Sequence, residues 1–215
     1  MSNLREKIAE YDAAKAKRVP PEVLQTMADA TCQLEGLGIV DRSLKAGDRI
    51  PDFSLPNHLG QERHIGELLA DSVLVLNFYR GGWCPYCNLE LHALQQALPD
   101  IRASGADLVA ISPELPDKAM DTQARHALEF EVLSDVGNHV SEAFGLTFEL
   151  PEQLRPIYTS IGIDVAAFNG DDSFVLPVPA SYVVDSDGII RHHFVNVDYT
   201  RRLEPDDLLQ VLRGQ

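Results

Sequence analysis

The stretch "FYRGGWCPYCNLELHAL", Phe78 to Leu94, decides how this chain reads. It opens on the end of "VLVLNFY" (73–79), a β-branched and aromatic run with the length of a buried strand. Further on, Cys87, Leu91, Leu94 and Leu98 recur at i, i+4, i+7 and i+11, the stripe of a helix that faces a sheet. Between the two, Gly81 and Gly82 permit a sharp turn, and Pro85 stands where the first residue of a helix tolerates proline. Cys84 is therefore expected at a helix N-terminus, with Cys87 one turn further in.

That placement carries chemistry. Unpaired N–H groups and the helix dipole favour an anion, so they lower a thiol pKa. Residues at i and i+3 share a face, so the two sulfurs can meet in a disulfide. The periodicity sets Cys84 at the accessible tip as the attacking thiolate and Cys87 inward as the resolving thiol. Zinc would need four ligands, and the chain has no second Cys-x-x-Cys and no His-x-x-x-His. His192 and His193 are neighbours on a strand and point to opposite faces. A static staple closing so short a loop would add little stability and suits a reducing compartment poorly. Redox turnover is the reading that remains, with no metal and no bound organic cofactor.

Working outward, "ADLVAIS" (106–112) and "ASYVVD" (180–185) read as buried strands, and "IIRHHFV" (189–195) alternates like an edge. Helical periodicity marks "CNLELHALQQALPDI", "DKAMDTQARHAL", "HVSEAFGL" and "EPDDLLQVLRG". The turn "DSDG" (185–188) predicts a hairpin, which makes the sheet mixed; it lacks the rest of a calcium loop. The expected fold is α/β, a central mixed sheet flanked by helices. Residues 3–18 and 21–35 read as two helices split by "VPP", so residues 1–45 form a helical extension before a domain at 46–215. The segment 146–178 is weakly periodic and is expected to border the site.

The chain has 215 residues, 45% hydrophobic and 24% charged, the composition of a soluble globular protein. Its 33 acidic and 18 basic residues give a formal charge of -15, which repels nucleic acid and anionic membranes. The charged N-terminal segment lacks the apolar core of a signal peptide, so the expected location is the cytoplasm. Three cysteines are too few for a secreted disulfide scaffold.

From about Ala46 to Leu212 the sequence resembles the thioredoxin-fold superfamily, and within it the alkyl hydroperoxide reductase/thiol-specific antioxidant group of peroxiredoxin-like proteins. The likeness rests on "AGDRIPDFSLPNHLG", "VLVLNFYRGGWCPYCNLEL", "FEVLSDVGNHVSEAFGL" and "PASYVVDSDGIIRHHFVNVD". Peroxiredoxins carry Pro-x-x-x-Thr-x-x-Cys after the strand. Here those positions hold Arg80, Cys84 and Cys87, so only the peroxidatic cysteine is kept. The arginine that usually precedes the late strand is absent, and "VPA" stands there. The site itself is similar to thioredoxin and glutaredoxin, whose cis-proline before a strand makes Pro179 its counterpart.

The resemblance implies a thiol peroxidase acting on hydrogen peroxide or alkyl hydroperoxides, with thioredoxin, glutaredoxin or glutathione as electron donor and a possible homodimer. A thiol-disulfide oxidoreductase and a non-catalytic redox sensor are the alternatives. The family pattern puts the attacking sulfur on Cys87, and the helix stripe puts it on Cys84. Arg80 reads as a cation that stabilises the thiolate or as a solvated loop residue. Trp83 reads as a docking surface or a loop anchor, and Tyr86 lies between the cysteines. Cys32 is expected in the core of the extension, with a resolving role as the alternative.

Overall fold

A computed structural model describes residues 3–70 and 72–214; residues 1, 2, 71 and 215, including both ends of the expected 1–45 and 46–215 division, lie outside the described residues. Helix α1 (Leu4–Arg18) begins in a capping box: the Asn3 side chain accepts from the Glu6 N–H at 2.8 Å, and the Glu6 carboxylate accepts from the Asn3 N–H at 3.1 Å. Helix α2 (Pro21–Glu35) starts on a proline at its first position, where a missing N–H loses no bond. A short α3 (Ile39–Arg42), the hairpin of β1 (Ser54–Pro56) and β2 (Glu62–His64), and α4 (Ile65–Leu69) lead into the main sheet.

There β3 (Val73–Phe78), α5 (Pro85–Ala103), β4 (Ala106–Ser112), α6 (Pro116–His126) and β5 (Glu131–Ser134) alternate, with all three strands parallel. After α7 (His139–Ala143), β6 (Thr147–Glu149) and β7 (Val175–Pro177) pair across an excursion holding α8 (Arg155–Ser160) and α9 (Val165–Asn169). Then β8 (Ala180–Val184) returns antiparallel beside β3, and β9 (Ile190–Val195) pairs with β8 before α10 (Pro205–Leu212).

The five-stranded order is β5-β4-β3-β8-β9, so the sheet is mixed, β3 is central, and β9 is an edge as its alternation predicts. The hairpin at 185–188 also forms. Asp185 accepts from the N–H groups of Asp187 and Ile189, and Gly188 takes φ +77°.

Strand alternation splits the core. Leu74, Leu76 and Phe78 join one buried cluster, while Val75 joins the other with Cys84, Cys87, Leu91, Leu94 and Leu98 of α5. The stripe on α5 thus faces the sheet as read from its spacing. Burying each leucine contributes roughly 1.5–3 kcal/mol, which fixes the helix and with it the position of its first turn. α1 packs on α5 and is clipped at its own start by Glu204, whose carboxylate accepts from the N–H groups of Leu4 (3.2 Å) and Arg5 (2.6 Å).

Candidate active site

The loop from Arg80 to Cys84 is held by glycines. Gly81 adopts φ +146°, and a Cβ there would stand 2.3 Å from Trp83 Nε1. At Gly82 a Cβ would fall 1.9 Å from Thr122 Oγ1 of α6. The Gly82 N–H donates to Glu114 at 2.9 Å, and its carbonyl accepts from Asn88 at 2.9 Å and Arg125 at 3.3 Å. Cys84 is the N-cap of α5 and Pro85 its first residue, as the sequence predicts; the Cys84 carbonyl accepts from the Asn88 N–H at 3.0 Å.

The expectation of an accessible Cys84 is corrected. It is 2% exposed, and Cys87 is fully buried. A roof accounts for this: α1, α2 and the 157–163 segment close over the helix tip and leave a cavity of about 120 Å³ against Cys84. The excursion therefore borders the site, as expected. The two sulfurs are not joined in a disulfide.

Burial by itself raises the Cys84 pKa. A hydrogen bond from the Cys87 thiol, then the charges of Arg80 and Arg202, outweigh it and pull the thiol down to about 6. Cys87 is pushed well above the ordinary cysteine range by burial, then by the bond to Cys84 and its charge. The two shifts run in opposite directions, down at Cys84 and up at Cys87.

Arg80 is not a solvated loop residue: it is 2% exposed. Its guanidinium lies over the rings of Tyr199 (4.6 Å), Trp83 (4.9 Å) and Tyr158 (5.7 Å), and one amino group donates to the Tyr158 hydroxyl. Its Nε has no hydrogen-bond partner among the described residues. Trp83 packs between the two core clusters and edge-on to Tyr158, which makes it a loop anchor. Tyr86 ties the site to α1, donating to Asp12 and accepting from Lys15 at 3.3 Å.

Arg202, after β9, is a site residue that sequence reading missed. Its Nε meets the Glu90 carboxylate at 2.8 Å in a buried pair, and Nη2 lies 3.5 Å from Cys87 Sγ. It brings a cation to the sulfurs from a different segment than the strand that lacks one. The available signal was Glu90 itself, a charge three residues past Cys87 on the buried side of an apolar helix. Burial raises Glu90 to about 7 against the pull of Arg202, and raises Glu114 to about 7 against the Gly82 bond.

Two expectations fail. No peptide bond among the described residues is cis, so Pro179 is trans; it is buried in an apolar cleft with Arg80, Tyr158 and Tyr199. The trans form keeps an advantage of about 0.5–1 kcal/mol before proline. Cys32 is exposed rather than in the core. The inward face of α2 holds Ala30 and Leu34, and Cys32 sits two residues from each, on the opposite side of the helix.

A mixed sheet of this order, with a Cys-x-x-Cys pair at the N-terminus of the helix leaving its central strand, defines a thioredoxin-like thiol oxidoreductase. The profile of the AhpC/TSA family matches residues 46–193, and the chain belongs to that family. Peroxiredoxin Bcp of Escherichia coli K12 is 29% identical over 151 residues, 70% of this chain and 85% of its own. Thiol-disulfide oxidoreductase ResA of Halalkalibacterium halodurans is 29% identical over 126 residues, 58% of this chain and 66% of its own. Among solved structures, Peroxidoxin BcpB from Mycobacterium tuberculosis superposes with a TM-score of 0.63 at 23% identity, covering 80% of this chain and 97% of its own. PrxQ from Xylella fastidiosa gives 0.63 at 14% identity over 80% and 96%. These two share the fold.

Proposed function

We propose that the chain is a thiol-dependent peroxidase in which Cys84 attacks and Cys87 resolves. The observation that carries this reading is the placement of Cys84, the N-cap of α5, on the wall of the cavity with Cys87 fully buried one turn behind it, and the opposed shifts of the two thiols, down at Cys84 and up at Cys87, run the same way. The Cys84 thiolate attacks the terminal oxygen of a hydroperoxide. The O–O bond breaks, its hydroxyl stays on sulfur as the sulfenic acid of Cys84, and the alkoxide or hydroxide leaves and takes a proton from solvent to become the alcohol or water. The Cys87 sulfur then displaces the sulfenic hydroxyl, which departs as water with the Cys87 proton, and the S–S bond forms. Arg80 stabilises the thiolate. Arg202, paired with Glu90, is a positioning residue at Cys87.

The substrate is hydrogen peroxide or an alkyl hydroperoxide, and an external thiol such as thioredoxin, glutaredoxin or glutathione restores the pair. The redox domain is 46–215, the extension 1–45 is its roof, and the protein works in the cytoplasm as a monomer or homodimer. Among the described residues no helix is long and apolar enough to cross a membrane.

A second reading has Cys87 as the attacking sulfur, favoured by its 3.5 Å contact with Arg202. Peroxide consumption with a thiol donor, measured on wild type, Cys84→Ser and Cys87→Ser, separates the two. Loss of the first oxidation step in Cys84→Ser alone supports the first reading, and its loss in Cys87→Ser alone supports the second. A wild type that consumes no peroxide but reduces insulin disulfides is a thiol-disulfide oxidoreductase.

A further inference from the structure

The chain carries a formal charge of -15, yet the cavity over Cys84 is lined by Lys15, Arg18 and Arg80 and by no aspartate or glutamate. The rest of its wall is largely apolar, with Val23, Met27, Ile157 and Ile163 among it. Arg80 is the buried cation of the three, its Nε has no hydrogen-bond partner among the described residues, and no carboxylate is among the groups whose charge acts on it, which leaves the Cys84 thiolate as its counter-charge. Once Cys84 is tied up in a disulfide its negative charge is gone. Arg80 is then a buried cation without a counter-charge, an expensive state that a ligand anion relieves. The oxidised site is therefore the state that calls for an anion, and the molecule that meets the oxidised site is the reductant.

Size and cover restrict that molecule. A cavity of about 120 Å³ is close to one that holds a benzene ring. Its roof is latched: Lys15 reaches the hydroxyls of Tyr86 (3.3 Å) and Tyr199 (3.4 Å), Tyr86 bonds Asp12, and Glu204 clips the start of α1. A folded protein dithiol would have to lift α1 to touch Cys84.

We propose that the oxidised pair is reduced by a low-molecular-weight monothiol bearing a carboxylate, which enters the cavity under α1 and sets its carboxylate against Arg80 and Lys15. The first thiolate attacks the Sγ of Cys84, a residue of the cavity wall; the Cys84–Cys87 bond breaks and Cys87 leaves as a thiolate that takes up a proton. A second thiolate attacks the sulfur of the bound monothiol, Cys84 leaves as the thiolate beside Arg80, and a small disulfide departs. Two thiols lose two electrons and the pair gains them. The proposal rests on the pair cycling through a disulfide and not on peroxide being the oxidant.

The test starts from full-length protein oxidised with diamide, with re-reduction followed by the fluorescence of Trp83, the sole tryptophan. The probes are 3-mercaptopropionate, 2-mercaptoethanol, cysteamine and reduced thioredoxin, each rate divided by that probe's rate with a small neutral disulfide. The expected order puts 3-mercaptopropionate about tenfold or more above 2-mercaptoethanol and cysteamine lowest, with the spread narrowing as salt is raised. Arg18→Gln narrows the ratio between the first two at constant salt. Equal normalised rates for the three small thiols, or thioredoxin faster than all of them at equal concentration, overturns the proposal. Failure of diamide to join Cys84 to Cys87 overturns it together with the peroxidase reading. A pair that diamide oxidises and peroxide does not, while the anionic preference holds, overturns the peroxidase reading alone.

Discussion

Replacing Arg80 by methionine removes the cation whose charge lowers the Cys84 thiol most, and keeps an unbranched chain among the aromatic rings. Cys84 titrates at about 6, so roughly nine-tenths of it is ionised at pH 7. An opposite charge a few ångströms away moves a titration by about 1–3 pH units. The variant thiol should then titrate between about 7 and 9, with roughly one half to one hundredth ionised at pH 7. The thiolate that does form is more nucleophilic, with a Brønsted slope of about 0.4–0.5, so the rate at pH 7 falls at most about three- to sixfold. The midpoint, and not the rate at one pH, is the informative readout. Alkylation by neutral iodoacetamide across pH 4.5–10, in a Cys32→Ser background that removes the exposed thiol, should show the inflection move upward by at least about one pH unit. An inflection that stays near its wild-type position refutes the assignment of Arg80 as the cation that ionises Cys84.

Stability should depend on pH in two opposed windows. Cys84 titrates at about 6 folded against 9.0 ordinarily, so between those values the unfolded chain holds the extra proton and stability rises with pH; that contribution is lost as pH falls through 6. Glu90 and Glu114 titrate at about 7 against 4.5, so between those values the folded chain holds the extra protons and stability falls as pH rises. Urea unfolding of reduced protein should show a minimum near neutrality and a gain of about 1–2 kcal/mol by pH 8.5, and that gain should vanish in Cys84→Ser. Gly82→Ala, which drives a Cβ into Thr122, should lower stability by about 1–3 kcal/mol, and Thr122→Ala should recover part of it. Arg202→Leu should lose about 3–5 kcal/mol by stranding Glu90, and adding Glu90→Leu should restore most of that in the same unfolding assay.

The elements legible in the sequence were those whose physics is local. A β-branched run, two glycines, a proline and a stripe of one cysteine and three leucines placed β3, the turn and α5, and "DSDG" placed the β8–β9 hairpin. Short strands escaped: β5 and the pairs β1–β2 and β6–β7 have strands three or four residues long, too short to display a period. The inward placement of Cys87 followed from periodicity, because a stripe states which residues face the sheet. Exposure did not, because the roof over Cys84 is made by chain about 60 residues before it and 70 after it, and no local pattern encodes that approach. Arg202 was hidden for the same reason, standing 115 residues from the sulfur it touches. Arg80 could be flagged as a cation near the pair, but its burial among three rings depends on Tyr158 and Tyr199, which arrive from the excursion and from beyond β9.

The central claim is that peroxide oxidises the sulfur of Cys84 first. One equivalent of hydrogen peroxide added to reduced Cys87→Ser, followed by dimedone and peptide mapping, reads this directly. The account expects one dimedone adduct on Cys84, with no site-pair adduct in Cys84→Ser treated alike. An adduct on Cys87 in Cys84→Ser, with Cys84 unmodified in Cys87→Ser, would contradict it.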